Sequence, residues 1–145
     1  MDCNWVNNRL LVGAIVAKKD DAKFLKMGGI THVLNCMRDN NEEVWVREFG
    51  MVYFHNAVED DGKPKPVEWF KASIEWALPV LIYPKNKLYV HCRGGQQRGP
   101  STAYAILRAL GMTASEAEHA IQIVRKCGLG YKKDADKAVS ALGYE

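Results

Sequence analysis

Residues 88–101 read LYVHCRGGQQRGPS, and the pattern changes twice within this short stretch. The first four residues are mostly apolar, which is typical of a short buried strand. Pro100 suits the first turn of a helix, because the N–H group that proline lacks has no partner there. Cys92 and Arg98 lie between the two, in a loop that contains two adjacent glycines. The stretch therefore predicts a strand, a loop and a helix in direct succession.

A loop between a strand and a helix N-terminus is suited to binding phosphate. It directs successive backbone N–H groups to one point, with the positive end of the helix dipole behind them. Glycines let the backbone turn and approach the oxygens closely, and Arg98 can contact two phosphate oxygens with its planar guanidinium. The loop residues expected to surround the phosphate are Arg93, Gly94, Gly95, Gln96 and Gln97.

Cys92 is the candidate nucleophile. The positive field that binds phosphate also favours the thiolate, which is the nucleophilic form of a cysteine. His91 is expected to have a structural role, orienting Cys92 through a hydrogen bond from a buried strand. Cys36 ends another predicted strand, and two interpretations of it remain open: a buried thiol, or a redox partner of Cys92.

The rest of the chain alternates strands with helices. Such alternation predicts one α/β domain over residues 1–145, with a core at about 4–142 and a central, mostly parallel sheet of four to five strands flanked by helices. Pro79 is expected to end or kink the helix predicted from about Pro66 to Leu78. The predicted strands are 10–15, 30–36, 52–58 and 88–91, and the predicted helices are 18–27, 66–78, 99–111, 113–128 and 134–142.

Composition limits the classes of function. The 145 residues carry 20 Lys and Arg against 17 Asp and Glu, a net charge of +3. This mild excess suits an anionic substrate, but it does not form the basic stripe of a nucleic-acid binder. No apolar run is long enough to span a bilayer, and no signal-peptide pattern is present. Four cysteines without regular spacing predict neither a zinc site nor a disulfide framework. We therefore expect a cytoplasmic protein that needs no metal or cofactor; its oligomeric state stays open.

Residues 90–98, VHCRGGQQR, resemble the HCxxGxxR loop of the cysteine-dependent protein tyrosine phosphatase superfamily. The short chain is similar to the dual-specificity phosphatase branch in particular. NRLLVG at 8–13 and GITHVLN at 29–35 are similar to two strands of that branch. The resemblance implies a hydrolase that removes phosphate from phosphotyrosine, and also from phosphoserine and phosphothreonine, through a phosphocysteine intermediate. Cys92 and Arg98 would be its catalytic residues, and a phosphorylated protein its partner.

The resemblance also implies a general acid. In this superfamily an aspartate on a mobile loop, some thirty residues before the cysteine, protonates the leaving oxygen. Residues 58–61, VEDD, are similar to that loop. Asp60 is the preferred acid and Asp61 the alternative. The glycine and two prolines that follow fit a loop that closes over a substrate.

One position departs from the pattern of the superfamily. A serine or threonine usually follows the loop arginine and helps the thiolate to leave, whereas this chain has Gly99 there and Ser101 two positions later. Either Ser101 substitutes, or breakdown of the intermediate is slow. Two alternatives therefore stay open. One is a phospho-binding module that does not turn over; the other is a phosphatase for a non-protein substrate such as a phosphoinositide, an RNA 5′ end or a carbohydrate phosphate.

Overall fold

The computed structural model describes all 145 residues, which form five strands and six helices. In chain order the elements are β1 (Cys3–Trp5), β2 (Leu10–Gly13), α1 (Lys19–Met27), β3 (His32–Met37), α2 (Glu43–Glu48), β4 (Val52–Val58), α3 (Val67–Ile82), β5 (Leu88–His91), α4 (Arg98–Ala109), α5 (Ala114–Gln122) and α6 (Lys132–Ala141).

The five strands form one sheet in the order β1-β2-β5-β3-β4. Only β1 runs antiparallel to its neighbour; β2, β5, β3 and β4 are parallel. The predicted α/β domain with a mostly parallel sheet is confirmed. β5 lies in the middle of the sheet and is fully buried, which explains why its sequence is almost entirely apolar.

Helices cover both faces of the sheet. Because side chains alternate along a strand, Leu88 and Val90 of β5 face one layer and Tyr89 faces the other. The first layer is a core of 24 buried residues that includes side chains of α3, α4 and α6. The second is a core of 10 buried residues under α1 and α2. None of the helices combines the length and apolar composition that crossing a membrane requires.

Helix boundaries differ from the prediction at two places. α3 does not end at Leu78 but continues through Pro79 to Ile82. Pro79 lies on the exposed side of the helix, between the buried residues Ala77 and Val80. The hydrogen bond that proline cannot make is therefore lost on the solvent side, while burial on the other side holds the helix together. α5 ends at Gln122, well before Gly128, and the residues that follow contact the loop between β5 and α4.

Other local signals are confirmed. Thr113 caps α5 in a capping box with Glu116, as its sequence pattern predicts. Pro100 lies in the first turn of α4. Two short elements, β1 and α2, are missing from the prediction because neither has enough residues to show a hydrophobic period.

Candidate active site

A cleft of about 690 Å³ opens at the C-terminal end of the central strand. In an open parallel sheet this is the edge where ligands usually bind. β5 ends at His91, so the chain delivers Cys92 directly into the cleft, and α4 begins at Arg98. The lining residues are Arg38, Asp39, Glu59, Asp60, Cys92, Arg93, Gly94, Gln96, Gln97 and Arg98.

The loop between β5 and α4 has free N–H groups. None of the six backbone N–H groups from Arg93 to Arg98 donates a hydrogen bond within the protein. Arg125 holds the opposite side of the loop: its Nε donates to the carbonyl of Gly95 at 2.7 Å, and its Nη2 donates to that of Gly94 at 3.0 Å. With these carbonyls turned to Arg125, the N–H groups remain available to an anion in the cleft.

Gly95 is the position in this loop that requires glycine. Its φ is +66°, and a Cβ there would lie 2.3 Å from Nη2 of Arg125 and 2.7 Å from the backbone of Gly13. Gly13 in turn accepts a hydrogen bond from the N–H of Cys92 at 3.4 Å. The end of β2 and the loop therefore touch backbone to backbone, and a side chain would separate them.

Arg98 is buried, with 6% of its surface exposed, and lines the cleft. Its Nη1 donates to the carbonyl of Val58 at 3.1 Å. Its Nε is the one buried side-chain nitrogen or oxygen that has no partner in the protein. Leaving a buried donor unpaired costs about 1–3 kcal/mol, and an oxyanion bound beside Cys92 would remove that cost.

The Cys92 side chain is only 2% exposed, and no hydroxyl group forms a hydrogen bond with its sulfur. The Ser101 hydroxyl makes no such bond, and its Oγ accepts a hydrogen bond from the N–H of Tyr131 at 3.1 Å. Gly99 is tightly placed: a Cβ there would lie 3.2 Å from the nitrogen of Cys92. Helix α4 therefore packs closely against the end of β5.

His91 and Glu42 contact each other in the interior, and both side chains are fully shielded from solvent. The ring Nε2 contacts Oε1 of Glu42, and Nδ1 lies 3.3 Å from the carbonyl oxygen of Cys92. Both ring nitrogens therefore have an oxygen partner, and the ring is held between Glu42 and the backbone of Cys92.

The carboxylate of Glu42 is fully satisfied. Oε2 accepts hydrogen bonds from Asn35 at 2.9 Å, from Asn40 at 3.1 Å and from the hydroxyl of Tyr53 at 3.2 Å. Burial raises the pKa of Tyr53, and the nearby Glu42 charge raises it further, so the hydroxyl remains a donor. Both carboxylate oxygens of Glu42 therefore have partners in the interior.

The two candidate acids lie in different surroundings. Asp60 lines the cleft, and its Oδ1 accepts a hydrogen bond from the hydroxyl of Tyr131 at 2.8 Å. Asp61 does not line the cleft; it pairs with Nζ of Lys65 at 2.6 Å and accepts from the N–H of Lys63 at 3.0 Å. The bond from Lys65, followed by that from Lys63, lowers the pKa of Asp61, which makes it a poor proton donor.

Charges at the mouth of the cleft are paired. Arg93 contacts Asp39 at 2.7 Å, and Arg38 contacts Glu59 at 3.1 Å. The lining includes no lysine and no aromatic side chain. The mouth is therefore polar and close to electrically balanced, apart from the buried Arg98.

Cys36 lies next to Cys92 on the neighbouring strand, one position beyond the aligned pair Asn35 and His91. Burial, with a smaller contribution from Cys92, raises the pKa of Cys36 to about 12. Its thiol donates to Oγ1 of Thr102 at 3.6 Å. These contacts are those of a protonated, buried thiol.

Three residues of the site escaped the sequence analysis: Glu42, Arg125 and Tyr131. Each comes from a segment far along the chain from the 92–98 loop, and each reaches it only through the tertiary fold. Their types gave no signal, because a lone Glu or Arg is usually at the surface and a lone tyrosine between predicted elements matches no motif.

No family model matches this chain, whereas its fold is shared with several solved structures. PTPMT1 is 16% identical, with a TM-score of 0.79 and 99% of each chain covered. It has also been solved in complex with PI(5)P. Human DUSP28 is 17% identical, with a TM-score of 0.80, 99% of this chain and 96% of that chain covered. The human tyrosine phosphatase-like serine/threonine/tyrosine-interacting protein is 20% identical, with a TM-score of 0.78 and 97% of each chain covered.

These matches confirm the resemblance inferred from the sequence. The chain has the fold of the cysteine-dependent tyrosine and dual-specificity phosphatases, over nearly its whole length.

The buried contacts of Glu42 predict a large effect on stability. Replacing Glu42→Gln weakens its contact with His91 and puts an NH₂ group where an oxygen accepted hydrogen bonds, and we expect the free energy of unfolding to fall by about 3 kcal/mol. Urea denaturation at neutral pH measures this change. The control is Glu48→Gln, which breaks the exposed pair with Lys19 and should cost less than about 1 kcal/mol. Equal effects of the two substitutions would contradict the buried pair.

Proposed function

We propose that this protein is a phosphomonoester hydrolase that works through a phosphocysteine intermediate, with phosphorylated proteins as substrates. The observation that carries the proposal is the arrangement around Cys92. A nearly buried cysteine lies in a loop with six unpaired N–H groups, beside an arginine with an unpaired Nε and across the cleft from a carboxylate. This set of groups matches a phosphate dianion and the charge that develops on it.

In the first step the Cys92 thiolate attacks phosphorus, and the bond from phosphorus to the substrate oxygen breaks. Asp60 gives its proton to that oxygen, and phosphate is left bound to sulfur. In the second step water attacks phosphorus, Asp60 takes a proton from the water, and the sulfur leaves as thiolate. The loop N–H groups and Arg98 stabilise the phosphoryl oxygens in both steps.

His91 assists the nucleophile indirectly. Its ring contacts the carbonyl of Cys92 and is held on its other side by Glu42, so it positions the backbone that carries the sulfur. We assign His91 a supporting role on this basis. Ser101 also supports the site, because its hydroxyl accepts a hydrogen bond from the N–H of Tyr131.

Protein substrates are favoured by the balance of charge at the mouth. The neighbour PTPMT1 binds PI(5)P, and a phosphoinositide brings further negative charge to a site. In this chain Arg38 and Arg93 each lie beside an exposed carboxylate, and the two carboxylates would repel a second phosphate. The lining has no aromatic wall for a phenyl ring, which favours acceptance of phosphoserine and phosphothreonine as well as phosphotyrosine.

A second candidate function is a binding module that holds phosphorylated partners. It is favoured by one observation: no hydroxyl group forms a hydrogen bond with the Cys92 sulfur, and the second step would use such a hydroxyl. A neighbour with the same fold is named as an interacting protein. The two candidates share the site and differ in whether phosphate is released.

The proposed nucleophile predicts the result of a simple assay. Wild-type protein should hydrolyse a small aryl phosphate in the presence of a chelator, and vanadate should inhibit it, because vanadate occupies a phosphate site beside a thiolate. Cys92→Ser should abolish turnover, while Cys127→Ser, at a half-buried cysteine outside the cleft, should not change it. If the protein binds phosphate but shows neither turnover nor a trapped intermediate, the binding module is favoured instead.

The different surroundings of Asp60 and Asp61 predict different effects of their substitution. Asp60→Asn should lower kcat about 10²–10⁴-fold, because the leaving oxygen loses its proton donor, and the acid requirement should disappear from the pH–rate profile. Asp61→Asn breaks only the pair with Lys65, and should change kcat by less than about threefold. A larger loss with Asp61→Asn would move the assignment to that residue.

Gly99 predicts that breakdown of the intermediate limits the rate. Rapid-quench measurements with an aryl phosphate should show a burst of about one phenol per enzyme, and mass spectrometry should find one phosphoryl group on Cys92. Gly99→Ser should raise the steady-state rate by supplying a hydroxyl near the sulfur. Gly99→Ala is the matched control, since it adds the same Cβ without the hydroxyl. A linear time course from the first turnover would show that the second step is not slow.

A further inference from the structure

Residues 128–131, which lie between α5 and α6, are bound to the phosphate loop and to α4 by three successive N–H groups. Leu129 donates to the carbonyl of Gln96 at 3.3 Å, Gly130 to Oε1 of Gln97 at 2.6 Å, and Tyr131 to Oγ of Ser101 at 3.1 Å. This segment therefore has a defined position relative to Cys92.

A side chain at either glycine of the 128–131 segment would displace the amide of Gln97. A Cβ on Gly130 would lie 2.4 Å from Oε1 of Gln97, and one on Gly128 would lie 2.8 Å from Nε2 of the same side chain. Leu129 has a φ of +48°, a left-handed conformation that is unfavourable for leucine. Its side chain is buried in the main core, and this burial maintains the unfavourable backbone.

Tyr131 extends from this segment to the opposite side of the cleft. Its hydroxyl donates to Oδ1 of Asp60 at 2.8 Å and accepts a hydrogen bond from the N–H of Gly62 at 3.0 Å. Nζ of Lys65, the partner of Asp61, lies 4.9 Å from the centre of its ring. Tyr131 is thus hydrogen-bonded to the phosphate side through its backbone and to the acid loop through its side chain.

Burial of Tyr131 keeps its hydroxyl protonated. Only 3% of the residue is exposed, and desolvation raises its pKa, with Asp60 adding to the effect. At neutral pH the hydroxyl can therefore only donate its proton to Asp60, while its oxygen accepts from Gly62. Both of its hydrogen bonds restrain the acid loop.

We propose that Tyr131 is a positioning residue for Asp60. This inference rests on the proposed function, in which Asp60 is the general acid. The Tyr131 hydroxyl occupies Oδ1, so the acidic proton is carried by Oδ2, the oxygen left for the substrate. When Asp60 transfers this proton to the leaving oxygen, the bond from Tyr131 stabilises the carboxylate that results. The same bond keeps the carboxylate in place to take a proton from water in the second step.

The role of the hydroxyl can be separated from that of the ring. Tyr131→Phe retains the buried ring and removes only the two hydrogen bonds to the acid loop. Single-turnover rates of phenol release are measured for a series of aryl phosphates whose phenols differ in basicity. We expect release of strongly basic phenols to fall about tenfold and release of weakly basic phenols to change less than about twofold, because the latter leave without a proton.

A double substitution tests whether Tyr131 acts through Asp60. If it does, adding Tyr131→Phe to Asp60→Asn should cause no further loss for any phenol. The matched control is Tyr104→Phe, another tyrosine whose hydroxyl bonds to an aspartate, Asp136, outside the cleft. This control should show no dependence on phenol basicity.

The outcomes separate the two proposals. If the wild type releases no phenol in a Cys92-dependent reaction, the proposed function itself is refuted. If release is present, and Tyr131→Phe slows all phenols equally or adds its full effect to Asp60→Asn, the positioning role is wrong. Thermal unfolding of Tyr131→Phe and Tyr104→Phe, followed by circular dichroism, checks that both variants are folded at the assay temperature.

Discussion

The structure depends on one electrostatic constraint: six consecutive N–H groups after β5 are turned to the cleft and left without partners. A loop of this kind is stable only when its carbonyls are bound on the other side and its backbone fits closely. Arg125 satisfies the first requirement by binding the carbonyls of Gly94 and Gly95. The contact between Gly95 and Gly13 satisfies the second. Free N–H groups arranged in this way are suited to an anion.

The charged side chains in the interior of the cleft have different partners from those at its mouth. In the interior, Arg98 keeps a free Nε for a ligand, while His91 is paired with a carboxylate that has three other donors. At the mouth the arginines are paired with exposed acids. Since exposed pairs are weak, a substrate can separate them at little cost, whereas the buried groups retain their positions during a reaction. Specificity would therefore reside in the mouth and chemistry in the interior.

Local signals predicted the elements that are long or strongly marked. The 88–101 stretch, the capping box at Thr113 and the alternation of strands and helices all appear as expected. The two errors, at Pro79 and after Gln122, have a common physical cause, which is that tertiary contacts override a local signal. A proline ends a helix only when the residues around it gain no burial by staying helical, whereas Ala77 and Val80 are both buried. Conversely, α5 ends early because residues 128–131 bind the phosphate loop instead.

The sequence alone determined the strand, the loop and the helix around Cys92 and Arg98, because these elements are contiguous in the chain. Its resemblance to phosphatases narrowed the proposed acid to two adjacent aspartates. Only the tertiary structure distinguished the two aspartates. Tyr131 contacts Asp60 and Lys65 contacts Asp61, and no local sequence pattern predicts which contact each one makes. The same holds for Glu42 and Arg125. A hydrogen bond depends on positions in space, and residues 30 or more positions apart are brought together only when the whole core packs.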